Sequence, residues 1–127
     1  MHKSVHLILY YKIFKLIKYL YEVVRNFSRE YKYSIGKDIL IFGWLCMDLA
    51  IKINNLEKEK RYQEIRKLST AFDCLKIRIR MAQEINLISK KQFCHIQTYY
   101  GKEIGEVIGG WLKWSKINFE NYNERNF

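Results

Sequence analysis

Apolar residues recur along most of this chain at helical spacing. Between about Ser4 and Phe27, Leu7, Ile8, Tyr11, Phe14, Tyr21 and Val24 follow an i, i+3, i+4, i+7 recurrence, and Ile13, Leu16, Ile17, Leu20 and Val23 widen the stripe. Lys12, Lys15, Lys18, Glu22 and Arg25 take the other face. This predicts an amphipathic helix whose apolar sector is wide enough to meet more than one neighbour. The stretch FSREYKY, 27–33, reads as a connection. Ser34 suits the N-cap of a second helix reaching about Leu56, and Asp38 falls in its first turn, where the helix dipole favours an anion. Ile39 to Met47 is apolar nearly all round, which predicts the most buried element. Asn54 and Asn55 break the pattern. A third helix over about 57–88 opens on EKEKRYQE and then carries the stripe Ile65, Leu68, Phe72, Leu75, Ile79 and Ala82. Residues 75–81, LKIRIRM, alternate as a strand would, but the helical stripe runs through them and a lone strand has no partner. Ser89 and Gln92 form a capping box that opens a fourth helix running to about Lys116. The Asn-rich remainder, 117–127, reads as a flexible, frayed tail.

The expected architecture is all-α: an antiparallel up-down-up-down four-helix bundle over 1–116, with helices near 4–27, 34–56, 57–88 and 89–116. At 1.5 Å per residue such helices are roughly 35–40 Å long. The chain's 127 residues fit one domain, large enough to withdraw roughly two-thirds of its unfolded surface from water. The absence of proline favours long helices over a turn-rich β fold. The longest apolar run, Ile39 to Met47, falls short of the ~20 residues a bilayer helix needs. The opening MHKSVHLILYYK lacks the cleavage signal of a secretory leader, so no membrane partner is expected. Cys46, Cys74 and Cys94 show no CxxC spacing, which fits buried, reduced thiols and a cytoplasmic location.

Charge changes the picture. The chain has 23 Lys and Arg against 13 Asp and Glu, a formal net charge of +10. Residues 1–33 contribute +5 and residues 57–88 contribute +3, so side-by-side packing of the first and third helices would give a continuous basic surface. Such a surface attracts polyanions, although solubility alone would also account for the excess. The candidate nucleic-acid contacts are Lys12, Lys15, Lys18 and Arg25 on the first helix, Lys76, Arg78 and Arg80 on the third, and Lys113 and Lys116 on the fourth. Lys76 and Arg80 share a helix face while Arg78 points elsewhere, and Asp73 and Glu84 offer a solvated ion-pair alternative.

Gly101, Gly105 and Gly109 recur every four residues, followed by Gly110, then Trp111 and Trp114. Each helical glycine costs about 1 kcal/mol relative to alanine, so the ladder calls for a return. Close packing inside the bundle, close packing between subunits, and a ligand seated on bare backbone all remain open. Trp111 reads as a core or interface anchor. Catalytic chemistry is hard to find. No His stands three residues after a Glu, as a di-iron bundle requires, and no nucleophile, zinc or phosphate-loop motif occurs. His2 and His6 are spaced i, i+4 but have no acidic or cysteine ligand nearby. The expectation is a non-enzyme with no metal and no cofactor.

Two stretches carry a family likeness. Leu75, Lys76, Arg80 and Ala82 match a Leu-Arg-x-x-x-Arg-x-Ala signature, with Lys76 replacing the first Arg. Glu103, Ile104 and Gly105, then Gly109, Gly110, Trp111, Leu112 and Lys113, match Glu-Ile-Gly followed by Gly-Gly-Trp-Leu-Lys. Over about residues 8–116 the chain resembles Avd, the accessory variability determinant of diversity-generating retroelements. The resemblance implies a basic four-helix bundle assembled as a homopentamer, without a catalytic site. It further implies binding to the retroelement reverse transcriptase and its template RNA or cDNA in mutagenic retrohoming. A related bundle type, encoded in intervening sequences of 23S ribosomal RNA genes, carries Asn-x-x-Glu-Gly near the end of its second helix. This chain has INNLEKEK there, which argues against a structural bundle of that kind.

Overall fold

The computed structural model describes residues 2–126, with side chains described for 8–125. Four long helices make up the described residues, and no strand occurs among them. α1 is His2–Arg25. α2 spans 29–54 as one continuous run: Arg29–Tyr31, a π turn at Lys32–Gly36, then Lys37–Asn54. A 3-10 turn at Lys58–Lys60 leads into α3, Arg61–Glu84. α4 spans 90–126: Lys90–His95, a second π turn at Ile96–Gly101, then Lys102–Asn126. Each helix packs on the next and α4 closes back on α1, so α1 and α3 lie on a diagonal. The first and third helices therefore do not pack side by side, and their basic residues do not form the continuous surface expected.

The α3 stripe is the core as its spacing predicts. Ile65, Leu68, Phe72, Leu75, Ile79 and Ala82 are all buried, at about 1.5–3 kcal/mol for each large side chain. α1 corrects the expected stripe. Leu9, Ile13, Leu16, Ile17, Leu20, Val23 and Val24 face the axis, whereas Ile8, Tyr11, Phe14 and Tyr21 face outward. A helix that is apolar around most of its circumference offers two candidate stripes, and only the aliphatic one interdigitates with the neighbouring helices. α2 is corrected likewise. Ile39, Gly43, Cys46 and Met47 are buried, but Ile41, Trp44 and Leu45 are exposed, so the run is not apolar because it is wholly enclosed.

Helix ends explain the remaining differences. Ser28, in extended geometry at φ −62°, ψ 156°, takes the N-cap place expected of Ser34. Ser34 instead lies inside α2, its hydroxyl donating to the Glu30 carbonyl at 2.9 Å. α3 stops at Glu84 because Asn86 adopts φ 65°. Asn tolerates that left-handed geometry, and it lets the Asn86 and Leu87 amides donate back to Gln83 and Ala82 at 3.0 and 2.8 Å. The Ser89–Gln92 capping box forms, with bonds of 3.0 and 2.9 Å. The segment expected as a frayed tail continues α4 to Asn126. Phe119 packs there on Tyr62, with ring centroids 5.2 Å apart.

The glycines with the least room lie where α2 meets α1. A Cβ on Gly36 would stand 2.8 Å from Val24 Cγ1 and 3.1 Å from the Tyr31 carbonyl oxygen, and one on Gly43 3.3 Å from Ile17 Cγ1. The Gly101 ladder is looser. A Cβ on Gly105 would meet Phe72 at an ordinary 3.8 Å, and none of the described atoms lies within 4 Å of one on Gly109 or Gly110. Close packing inside the bundle therefore does not account for Gly109 and Gly110. Between α2 and α3, the Lys52 ammonium donates to Glu64 at 2.7 Å, and Lys67 lies 3.3 Å from the same carboxylate. The Lys52 bond holds the Glu64 carboxyl below its ordinary value near 4.5, with Lys67 adding to it against a smaller opposing effect of burial.

Two outcomes follow for stability. Gly36→Ala lowers it by about 1–3 kcal/mol through overpacking, while Gly109→Ala raises it by up to about 1 kcal/mol through helix propensity; urea titration reads both. Because the Glu64 value is depressed on folding, its contribution is complete above the unfolded value and is lost as pH falls through the folded one. Melting curves should therefore show Glu64→Gln losing less stability than the native chain between about pH 5 and pH 3.

Candidate nucleic-acid interface

The π turn of α4 builds a feature that periodicity does not reveal. A π turn holds one more residue than an α turn, so residues four and five positions apart both come to lie over the first. His95 accordingly stacks on Tyr99, with centroids 5.1 Å apart and planes at 19°, and meets Tyr100 edge-on at 5.8 Å. Tyr19 of α1 closes the group, 5.0 Å from His95 and 5.6 Å from Tyr100. Burial, with the neighbouring Tyr99 and Tyr19 phenols, raises the Tyr100 phenol above its ordinary value of 10. Tyr100 is half-buried, while Tyr99 remains 62% exposed.

The basic candidates divide among several surfaces. Lys12 pairs with Glu103 across the α1–α4 seam. Lys15 is exposed beside the aromatic group, its ammonium 4.5 Å from the centre of the Tyr11 ring. Lys18 is exposed one turn on. Arg25 lines a separate groove between α1 and α2. On the other flank of α4, Lys76 and Arg80 line a groove of about 330 Å³ with Phe93, Gln97 and Gly101. Lys76 lies 3.2 Å from Asp73 and Arg80 3.8 Å from Glu84, exposed pairs worth at most about 1 kcal/mol. Arg78 leaves this cluster. Its guanidinium sits 3.9 Å over the Phe42 ring and donates to the Cys74 carbonyl at 3.0 Å. Lys113 and Lys116 are exposed near the far end of the bundle, where Lys58 lies 4.9 Å over the Trp114 ring. Trp111 is buried in the subunit's own core.

The groove between α1 and α2, about 1070 Å³, is lined by Tyr21, Tyr33, Ile41, Trp44 and Leu45 together with Arg25, Lys32 and Lys37 and the acidic Glu22 and Asp48. The Trp44 indole N–H donates to the Tyr21 hydroxyl at 2.9 Å. The thiols differ from one another. Cys46 is buried and pushed up to about 12, chiefly by burial and then by Cys74, whereas Cys94 is exposed, contrary to the expectation of three buried thiols. No cluster of three metal-ligating side chains occurs among the described residues. The His2 and His6 side chains lie outside the described residues. No helix among the described residues is long and apolar enough to cross a membrane.

The two signature stretches thus occupy α3 and α4, each divided between core and surface. Leu75, Ala82, Ile104 and Trp111 are buried, and Lys76, Arg80, Gly109, Gly110 and Lys113 are exposed. A family model described as bAvd-like matches residues 7–115. The chain belongs to the bAvd-like family. This agrees with the resemblance to Avd-type proteins of diversity-generating retroelements. No curated protein and no solved structure matches this bAvd-like chain.

Reading the sequence alone missed the His95–Tyr99–Tyr100 group and the tight glycines Gly36 and Gly43. The i, i+4 spacing of His95 and Tyr99 was available as a signal, but the π turn that adds Tyr100 was not. The divergence of Arg78 from Arg80 is directly measurable. Arg78→Ala should cost about 1–2 kcal/mol through its lost ring and carbonyl contacts. Arg80→Ala should stay within about 0.5 kcal/mol of the native chain in the same urea titration.

Proposed function

We propose that this chain is a non-catalytic accessory subunit of a diversity-generating retroelement, and that it binds the reverse transcriptase and its template RNA or cDNA to support mutagenic retrohoming. The observation that carries the reading is the bAvd-like match over residues 7–115. In this reading the protein works in the cytoplasm, without metal or cofactor, as a homo-oligomer, the homopentamer that the Avd resemblance implies.

The surface gives physical support. Folding of one chain accounts for the buried signature residues but not for the exposed Lys76, Arg80, Gly109, Gly110 and Lys113. Outward-facing Ile8, Tyr11 and Phe14 on α1, with Ile41, Trp44 and Leu45 on α2, expose apolar area of the kind that marks an interaction site. Subunit packing or the polymerase would cover it. Lys15 and Lys18 on one flank of α4, with Lys76 and Arg80 on the other, supply phosphate contacts.

The deciding experiment is co-purification with the reverse transcriptase encoded beside this chain, after nuclease treatment, with the mass of the eluted complex recorded. One polymerase with several copies of this chain is the expected result. A clean oligomer that ignores the polymerase would instead favour a structural bundle of the ribosomal-RNA-linked type. Nucleic-acid contact has its own readout. Replacing Lys15, Lys18 and Arg80 with Gln should flatten the slope of log affinity against log salt by about 0.7–0.9 per lost contact. An unchanged slope would remove those residues from the interface.

A further inference from the structure

We propose that the aromatic group at the π turn of α4 is a stacking platform for an unpaired base of a single-stranded nucleic acid, with Tyr99 as its upper ring. The proposal rests on the nucleic-acid reading above and gives it a chemistry beyond phosphate attraction. Tyr99 lies against His95 at 5.1 Å and Tyr100 at 5.2 Å, yet is 62% exposed. These spacings are those of ordinary aromatic pairs, so the ring is backed on its inner side and open on its outer side. Tyr19 supports the group from the neighbouring helix, 5.6 Å from Tyr100. The platform is therefore preorganised across two packed helices, and little side-chain freedom remains to be lost on binding.

The surrounding charge favours an anionic occupant. Lys15 of α1 acts on the Tyr100 phenol and is exposed, as is Lys18 one turn on. Of the carboxylates on α1 and in the first turn after the π turn, Glu22 has a field that reaches Tyr100, and Glu103 is paired with Lys12. A lysine-edged aromatic surface on a chain of net charge +10 suits a polyanion better than another copy of the same chain. Paired bases in a duplex present their edges, so only an unpaired base offers the face that Tyr99 can stack on. Such stacking tolerates any base, because every base has a π-face.

The test measures affinity for a twelve-nucleotide oligothymidylate and for a fully abasic strand of the same length, by fluorescence anisotropy at several salt concentrations. The native chain should prefer the base-bearing strand. Tyr99→Ala should weaken that binding roughly five- to hundredfold, leave binding of the abasic strand unchanged, and keep the salt slope. Tyr99→Phe should retain the preference. Equal affinity of the native chain for the two strands would overturn the platform while leaving the phosphate contacts standing, and this comparison needs no variant to fold. A change in oligomer mass in Tyr99→Ala would overturn it too, by making the face a contact between copies. If neither strand binds at any salt concentration, the nucleic-acid reading itself fails.

Discussion

Each helix must return an aliphatic side chain to the bundle axis at every turn, and the rest of this molecule follows from how that is done. In α4 the inward positions Ile96, Ile104 and Ile108, with half-buried Tyr100 between the first two, advance in steps of four. Each such step overshoots a 3.6-residue turn by about 40°. The π turn at Ile96–Gly101 takes up an extra residue and so restores the register. The same insertion sets Tyr99 and Tyr100 together over His95. In α2 the π turn at Lys32–Gly36 ends on the residue that seats against Val24 and Phe27 of the α1 end. A side chain there would push the two helices apart.

The axis is filled mainly by Ile, Leu, Val and Ala, with Phe27, Phe72 and Trp111 the buried aromatics, and most of the other aromatics are left at least partly outside. Apart from Tyr62, Trp114 and Phe119 at the far end, two collections differ in character. Along α1 and α4 they lie among lysines and form a stacked group. Between α1 and α2, Tyr21, Tyr33 and Trp44 line an open groove with Ile41 and Leu45. The first surface suits a charged, planar ligand, and the second suits a protein face. α4 lies between Lys12 of α1 and the Lys76 and Arg80 of α3, so in the proposed reading a strand laid along it would meet both.

The ion pairs matter less to the fold than the packing does. Lys76–Asp73 and Arg80–Glu84 are exposed, and solvent screens both. Arg78 differs from Lys76 and Arg80. It has exchanged solvent for the Phe42 ring, which makes it part of the α2–α3 seam.

Much of the fold was legible in the chain itself. The four helices, the α3 stripe, the Ser89–Gln92 cap and the two signature stretches all follow from spacing and residue type, because local hydrogen bonding and 3.6-residue periodicity act over a few turns. Only the tertiary structure decided which stripe of α1 turns inward, since Tyr11 and Phe14 are as apolar by pattern as Ile13 and Leu16. It decided that Gly36 and Gly43 are the tight glycines while Gly109 and Gly110 stand open, because a glycine's worth depends on what approaches it from another helix. It separated Arg78 from Lys76 and Arg80, and it brought Tyr19 to His95 across the 75 residues between them. That contact depends on how α1 and α4 align along the bundle, which is set by the packing of all four helices together and by no single one of them.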